Sequence, residues 1–299
     1  MTEKKRVVAL GFFDGVHLGH GALIEKTVSR AAEKGALPAV VSFDTHPDSL
    51  VKGVEVPLIN SAADREKIID RIFGVKSVIL IHFDETMMHM PWQQFAEYLR
   101  DDLLVTHVVV GHDFRFGFRG EGTPERLAEF CEANDMGIDV IPKVELGGVT
   151  VSSTYIRSLL ACGDVEQANA FLGHPYCLTE TVQKGFQLGR TIGAPTINMR
   201  YPEGVLVPRH GVYAARACFD GKCCEAVTNV GVRPTVGGTT AVTVESHILD
   251  FSGDLYGKEV RIEFLKFLRP EQKFDSVDAL REQIARDGEA TKTYFAQLK

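Results

Sequence analysis

Val7-Val8-Ala9-Leu10-Gly11-Phe12-Phe13-Asp14-Gly15-Val16-His17-Leu18-Gly19-His20 lies near the start of a 299-residue chain. Four consecutive apolar residues read as a strand covered on both faces, since a strand with one wet face would alternate. A glycine-bearing turn follows and leads into a helical pattern at residues 21–33. Strand, turn and helix N-terminus together favour an anion, because first-turn amides lack partners within the helix and the peptide dipoles point the right way. The glycine spacing fits neither a P-loop nor the G-x-G-x-x-G fingerprint. The stretch offers instead two imidazoles, His17 and His20, separated by Gly19, which lets the backbone approach closely. One histidine there caps a helix as readily as it holds a ligand. The pair, set at the first crossover of an alternating pattern, points to a phosphate chain.

Outward from this stretch, strands are expected at 7–10, 39–43, 78–82, 107–111 and 138–141. Helical patterns separate them at 21–33, 62–73, 91–101 and 124–134. The alternation implies βαβ crossovers and a parallel sheet with helices on both faces. Two more helical stretches, 153–162 and 165–172, close this half. Ser152, Ser153 and Thr154 open the first of them and are N-caps on the plainest reading. With Arg157 they also form a second oxyanion clamp. In an open parallel sheet both loops lie at the carboxyl ends of strands, where ligands bind.

The pattern changes near Gly173-His174-Pro175. Strands at 178–182, 212–218, 222–230, 242–249 and 259–267 then follow one another without helices, two of them joined at the hairpin signal Asp220-Gly221. A small antiparallel barrel with a terminal helix at 277–298 is expected, giving domains 1–173 and 176–299. Gly185, Gly189 and Gly193 recur every fourth residue and permit a backbone arch around phosphates. A plain turn-rich loop explains the glycines equally. Thr196 and Asn198 project to one side of an extended segment and offer neutral oxygens suited to Mg²⁺. Alternation sets Glu245 with Thr243 and His247, opposite Val242, Val244 and Ile248. There Glu245 is a solvated carboxylate or a general base.

Composition narrows the classes. With 33 basic and 40 acidic side chains the net charge is −7, which disfavours sequence-independent nucleic-acid binding because that requires a basic face. Small phosphorylated ligands, held by a few local groups, stay open. The first apolar run is far too short for a signal peptide, and nothing approaches the ~18 apolar residues of a membrane span. A cytoplasmic protein without membrane or nucleic-acid partners is expected, monomeric or weakly self-associating. Six cysteines without a C-x-x-C pair read as reduced, packed thiols.

Gly11–His20, together with Phe43-Asp44-Thr45-His46-Pro47, Gly111-His112-Asp113-Phe114-Arg115-Phe116-Gly117 and Ser152-Ser153-Thr154-x-x-Arg157, resembles the adenylyltransferase half of prokaryotic bifunctional riboflavin kinase/FAD synthetases. That half belongs to the HIGH-type nucleotidyltransferases with a Rossmann-like α/β fold. G-x-x-x-G-R-x-x-G-x-P-T-x-N from Gly185 to Asn198, Asn229–Thr235, V-E-S-H-I-L-D and D-L-Y-G-K are similar to riboflavin kinase, an antiparallel barrel. The resemblance implies that ATP phosphorylates riboflavin to FMN in the second half and adenylylates FMN to FAD in the first. It implies phosphate roles for His17 and His20, and nucleotide contacts from Gly11, Phe13, Asp14, Gly19, Ser152, Ser153, Thr154 and Arg157. Asp14 would lie near the reacting phosphates and magnesium. Gly185, Gly189, Arg190, Gly193 and Thr196 would hold the kinase nucleotide, with Thr196 and Asn198 on Mg²⁺ and Glu245 as base. Asp113, Phe114, Phe116 and Arg269 would face flavin, though Phe114 and Phe116 are core residues on an equal reading. Thr45, Phe12 and Glu180 depart from the family, which commonly has proline, asparagine and glycine there. A different adenylyl- or cytidylyltransferase, or a silent flavin-binding protein, is the competing reading; the complete kinase pattern and the retained Glu245 argue against both.

Overall fold

The computed structural model describes residues 4–184, 194–234 and 240–298. Two compact units emerge, Met1–Ser153 and Thr154–Lys299.

In the first unit β1 (Arg6–Leu10), β2 (Leu37–Phe43), β3 (Ser77–Ile81), β4 (Val105–Gly111) and β5 (Gly137–Ile141) form one parallel sheet in the order β3-β2-β1-β4-β5. β1 is central, which is why its apolar run is unbroken: Val7, Val8 and Ala9 are fully buried and Leu10 nearly so. Each such Val or Leu contributes about 1.5–3 kcal/mol relative to exposure. The edge strands β3 and β5 keep partial solvent contact along most of their length, less burial than expected of them. α1 (Leu18–Lys34) starts on His17 as N-cap, ends on Gly35 in the left-handed region, and buries Ile24, Thr27 and Ala31 along one stripe. α2 (Pro47–Lys52) and α4 (Glu85–Met88) are short helices absent from the sequence pattern, one begun by a proline and one capped by Asp84. α3 (Ala62–Phe73), α5 (Trp92–Asp101) and α6 (Pro124–Ala133) follow the expected spans within a residue. A two-stranded ribbon, β6 (Glu145–Leu146) with β7 (Val149–Thr150), follows β5.

The second unit begins with α7 (Ser153–Cys162), whose first residue belongs to the other unit, and α8 (Val165–Leu172). β8 (Tyr176–Thr181), β9 (Thr196–Arg200), β10 (Gly211–Phe219), β11 (Lys222–Pro234), β12 (Thr240–Ile248) and β13 (Glu259–Arg269) form an antiparallel sheet in the order β8-β13-β10-β11-β12-β9. The sheet curls until its ends meet at a bridge between Gln183, just past β8, and Asn198 on β9, with the Gln183 amide donating to the Asn198 carbonyl at 2.8 Å. α9 (Val277–Gln297) packs against β10 and β11. Glu180, on edge strand β8, pairs with Val260.

One expectation fails. Cys218 and Cys223 form a disulfide across the Asp220-Gly221 turn, so the cysteines are not all reduced thiols. The reason is register: Cys218 stands directly opposite Cys223 in the hairpin ladder, a pairing that a search for C-x-x-C spacing misses. Cys131, Cys162, Cys177 and Cys224 take no part in a disulfide.

Candidate functional site

The loop from β1 to α1 holds two residues in the left-handed region, Phe13 (φ 58) and Val16 (φ 45), both buried. Such backbone is costly for non-glycine residues, above all a β-branched one, and persists only where surroundings fix it. The surroundings here are specific. Asp14 Oδ1 accepts the amides of Ile59 at 2.8 Å and Asn60 at 3.4 Å, just ahead of α3. The Asp14 carbonyl accepts the Ser153 hydroxyl at 2.9 Å. The Phe12 carbonyl accepts both the Ser42 hydroxyl at 2.8 Å and a guanidinium N–H of Arg65.

His17 and His20 come together as a stacked pair, ring centroids 3.6 Å apart and planes inclined by 10°. The Nδ1 of His17 accepts the His20 amide at 3.2 Å, which puts the neutral ring's proton on Nε2. Burial, then the neighbouring His17 and Arg65, push His20 well below its ordinary value, so it is neutral at pH 7. The pair is therefore not two cations, and a neutral imidazole carries one ring N–H as its donor. Gly19 serves this pair more than any approach of the backbone to ligand: a Cβ there would lie 3.2 Å from the His17 ring. Gly11 is crowded likewise by the Phe13 ring.

Ser152 and Ser153 close the first unit, while Thr154 and Arg157 belong to the second. Thr154 is exposed and Arg157 half-buried. Near the ends of β2 and β3, Asp44 pairs with His82 at 2.6 Å and accepts the Phe83 amide. Burial raises the Asp44 carboxyl, but His82 and the Phe83 amide outweigh it and leave it lowered. A cavity of about 390 Å³ opens beside them, walled by Phe43, Phe83, Met87, Met90, Phe116 and Phe118. Phe116 is both core and wall: it is 7% exposed, stacks on Phe114 at 5.5 Å and meets Trp92 edge-on. Asp113 is solvent-exposed at the start of that loop.

In the second unit Glu245 on β12 stands opposite Asn198 on β9 and Asn229 on β11. Directly opposed residues share a face, so the three form a row across the sheet, flanked by Thr196 and His247 in the next rung. Val244, Ser246 and Ile248 face the buried side. His247 engages the Pro195 carbonyl at 2.9 Å. Asn229 donates to Glu271 at 3.2 Å, and a Cβ on Gly231 would meet the same carboxylate at 2.0 Å. Thr196 also lines a cavity of about 330 Å³ with Val182, Phe251, Asp254 and Tyr256. Arg269 is committed elsewhere, in a two-pronged pair with Asp287 of α9 at 2.7 and 2.9 Å. Gly185, Gly189, Arg190 and Gly193 lie outside the described residues.

The sequence reading missed Arg65, Ser42, His82 and Glu271. For Arg65 a signal existed. It falls in register with Ile68, Ile69 and Ile72 at helical spacing, a charged residue in an apolar stripe.

The family models for FAD synthetase and riboflavin kinase match residues 1–155 and 172–295. Bifunctional riboflavin kinase/FMN adenylyltransferases from Listeria monocytogenes and Bacillus subtilis are each 35% identical, over 100% and 99% of this chain and 95% of each relative. A crystal structure described as a macrolide-efflux protein from Streptococcus pneumoniae superposes with TM-score 0.85 at 30% identity, covering 98% of this chain and 95% of that one. Among the described residues, no helix here is long and apolar enough to cross a membrane. With both family models in tandem and relatives matched from end to end, the chain belongs to the bifunctional riboflavin kinase/FMN adenylyltransferase family.

Proposed function

We propose that the chain makes FAD in two steps, with riboflavin phosphorylated at the Glu245 row and FMN adenylylated at the His17–His20 loop. The observation that carries this reading is the row itself: three residues far apart in sequence meet on one face, with a carboxylate between two amides. Glu245 takes the proton from the terminal ribityl hydroxyl of riboflavin as that oxygen attacks the γ-phosphorus of ATP and ADP leaves. Thr196 and Asn198 present neutral oxygens beside it. Among the described residues no group of three or more His, Cys, Asp or Glu is placed to cage a metal. That donor set fits Mg²⁺ arriving on nucleotide phosphates with few protein ligands, where it would neutralise phosphate charge. Gly185, Gly189, Arg190 and Gly193 would complete the nucleotide loop.

In the first unit a phosphate oxygen of FMN attacks the α-phosphorus of ATP and pyrophosphate leaves. His17 and His20 donate to oxygens whose charge grows in the transition state. Gly11, Phe13, Asp14 and Gly19 shape the loop. Ser152, Ser153, Thr154 and Arg157 supply the second clamp for the leaving phosphates. The aromatic and methionine-walled cavity suits an isoalloxazine, with Phe116 in its wall, Phe114 stacked on Phe116, and Asp113 offered to flavin from the same loop. Arg269 acts on flavin at one remove, by fixing the end of β13 through Asp287. The adenylyltransferase domain is taken to run to about residue 173 and the kinase domain from 176, both in the cytoplasm. Incubating riboflavin with Mg-ATP and the protein, then separating flavins by chromatography, tests the reading. FMN followed by FAD is expected; FMN alone removes the adenylyltransferase step, and unchanged riboflavin removes the kinase step.

A further inference from the structure

Arg65 is 1% exposed, at the wall behind the histidine pair. Every hydrogen bond it makes goes to a neutral acceptor: the Phe12 carbonyl, the Ser42 hydroxyl at 3.1 Å and the Phe43 carbonyl at 3.1 Å. Its guanidinium lies over the Phe12 ring, 4.5 Å from the centroid. Among the described residues no carboxylate reaches it as an ion pair, and its Nε is buried without a hydrogen-bond partner. A desolvated cation with no carboxylate in contact opposes folding, and Asp14, Glu66 and Asp44 offset this only from farther away. An isoleucine, such as those at 68 and 69, would fill the same stripe of α3 without that penalty.

What the guanidinium does is join two strand ends. The Phe12 carbonyl belongs to the loop after β1 and the Phe43 carbonyl to the end of β2. The fixed fork of an arginine reaches both, which a lysine cannot do with the same geometry. Ser42 reinforces the joint on the same Phe12 carbonyl, and residues 59 and 60 grip the loop again through Asp14. Phe12 itself, a departure from the family pattern, supplies the ring that carries Arg65 and meets His46 edge-on at 4.6 Å.

We propose that Arg65 is a positioning residue for adenylyl transfer: from α3 it locks the phosphate loop to the end of β2 and sets a positive charge, in contact with no carboxylate, behind the histidine pair, where the polyphosphate gathers. This rests on the first unit being the adenylyltransferase, so the test must separate the two claims. The charged groups facing Arg65 are Asp14 of the loop, Asp44 at the end of β2 and Glu66 of its own helix. Those facing His20 are His17 and Arg65.

The test uses the full chain with Arg65→Met and Arg65→Lys, assayed for FAD formation from FMN and Mg-ATP over a pH series. Arg65→Met is expected to lower kcat about 100-fold, as loss of positioning does, with a smaller change in KM. Its acid limb should move to higher pH, because one of the influences holding His20 low is gone. Arg65→Lys keeps the charge and loses the fork, so kcat should fall about 10-fold with the acid limb unmoved. Equal losses in both variants with an unmoved acid limb, or wild-type kcat in either, overturn the proposal. Should Arg65→Met fail to fold, Arg65→Lys decides by the same kcat criterion. If the wild-type chain makes no FAD, the reading of the site falls first, and that outcome is distinct from wild-type FAD synthesis matched by both variants.

Discussion

In the first unit His17 and His20 are three residues apart on one loop, whereas Glu245, Asn198 and Asn229 of the second come from three strands. The first arrangement is made locally, by backbone held in the left-handed region and tied down by Asp14 and Ser42. The second is made by ladder register, and a slip of one residue would turn Glu245 into the core. A site of the first kind fails when its loop is loosened. One of the second kind tolerates loop change but fails when the reacting carboxylate or the pairing is altered.

The sharpest way to break this contrast is to disable each site alone. Glu245→Gln keeps shape and register but removes the base, so FMN formation from riboflavin should fall about 10³-fold. FAD formation from supplied FMN should persist, read by chromatography of the flavins. His20→Ala should do the reverse, with FAD formation down about 10²-fold, the scale of losing one preorganised donor. Loss of both activities in either variant would show that the two sites are not independent.

The contrast also explains what could be read in advance. The parallel sheet was legible because β1 and β4 carry uninterrupted apolar runs and α3, α7 and α8 begin and end where the pattern changes. The histidine pair was legible because its members are neighbours in sequence. Glu245 and Asn198 were found one at a time, by alternation and by motif; that they stand opposite each other depends on a pairing across nearly fifty residues which no local pattern encodes. The Cys218–Cys223 bond escaped for the same reason, although its two strands are joined by a two-residue turn. Arg65 escaped because a charged side chain is read as solvated, while its place in the stripe with Ile68 and Ile69 put it inside. Arg269 was read as facing flavin, because its partner Asp287 lies on a helix whose docking the sequence does not specify.

A third change tests whether backbone alone holds the first site. Gly117 has φ +70, and a Cβ there would lie 2.5 Å from the Trp92 Cα, main chain that cannot swing aside. Gly117→Ala should therefore cost about 3 kcal/mol, combining the left-handed penalty with the clash. Chemical denaturation followed by Trp92 fluorescence would measure it, since this is the chain's one tryptophan. Because Gly117 also lines the aromatic cavity, FMN binding should weaken. Wild-type stability would mean that the loop can shift freely, against a locally locked site.

The smallest expected effect lies at the other end of the same unit, where Asp139 on β5 accepts Arg30 of α1 at 2.7 and 3.1 Å and His107 of β4 at 2.8 Å. The Arg30 hydrogen bonds, opposed by burial and aided by His107, hold the Asp139 carboxyl down to about 2. A carboxyl whose folded value lies below its unfolded one stabilises the protein fully above the unfolded value and loses that stabilisation as pH falls towards the folded one. The contribution is about 2 kcal/mol at pH 7, allowing for the partial exposure of Arg30. Asp139→Asn should reduce stability by that amount at neutral pH, and the gap from wild type should close as pH drops from about 4 to about 2. Paired denaturation curves across that range would read it. A gap that stays constant would assign Asp139 a role in shape rather than charge, leaving α1, with His17 at its head, anchored by packing alone.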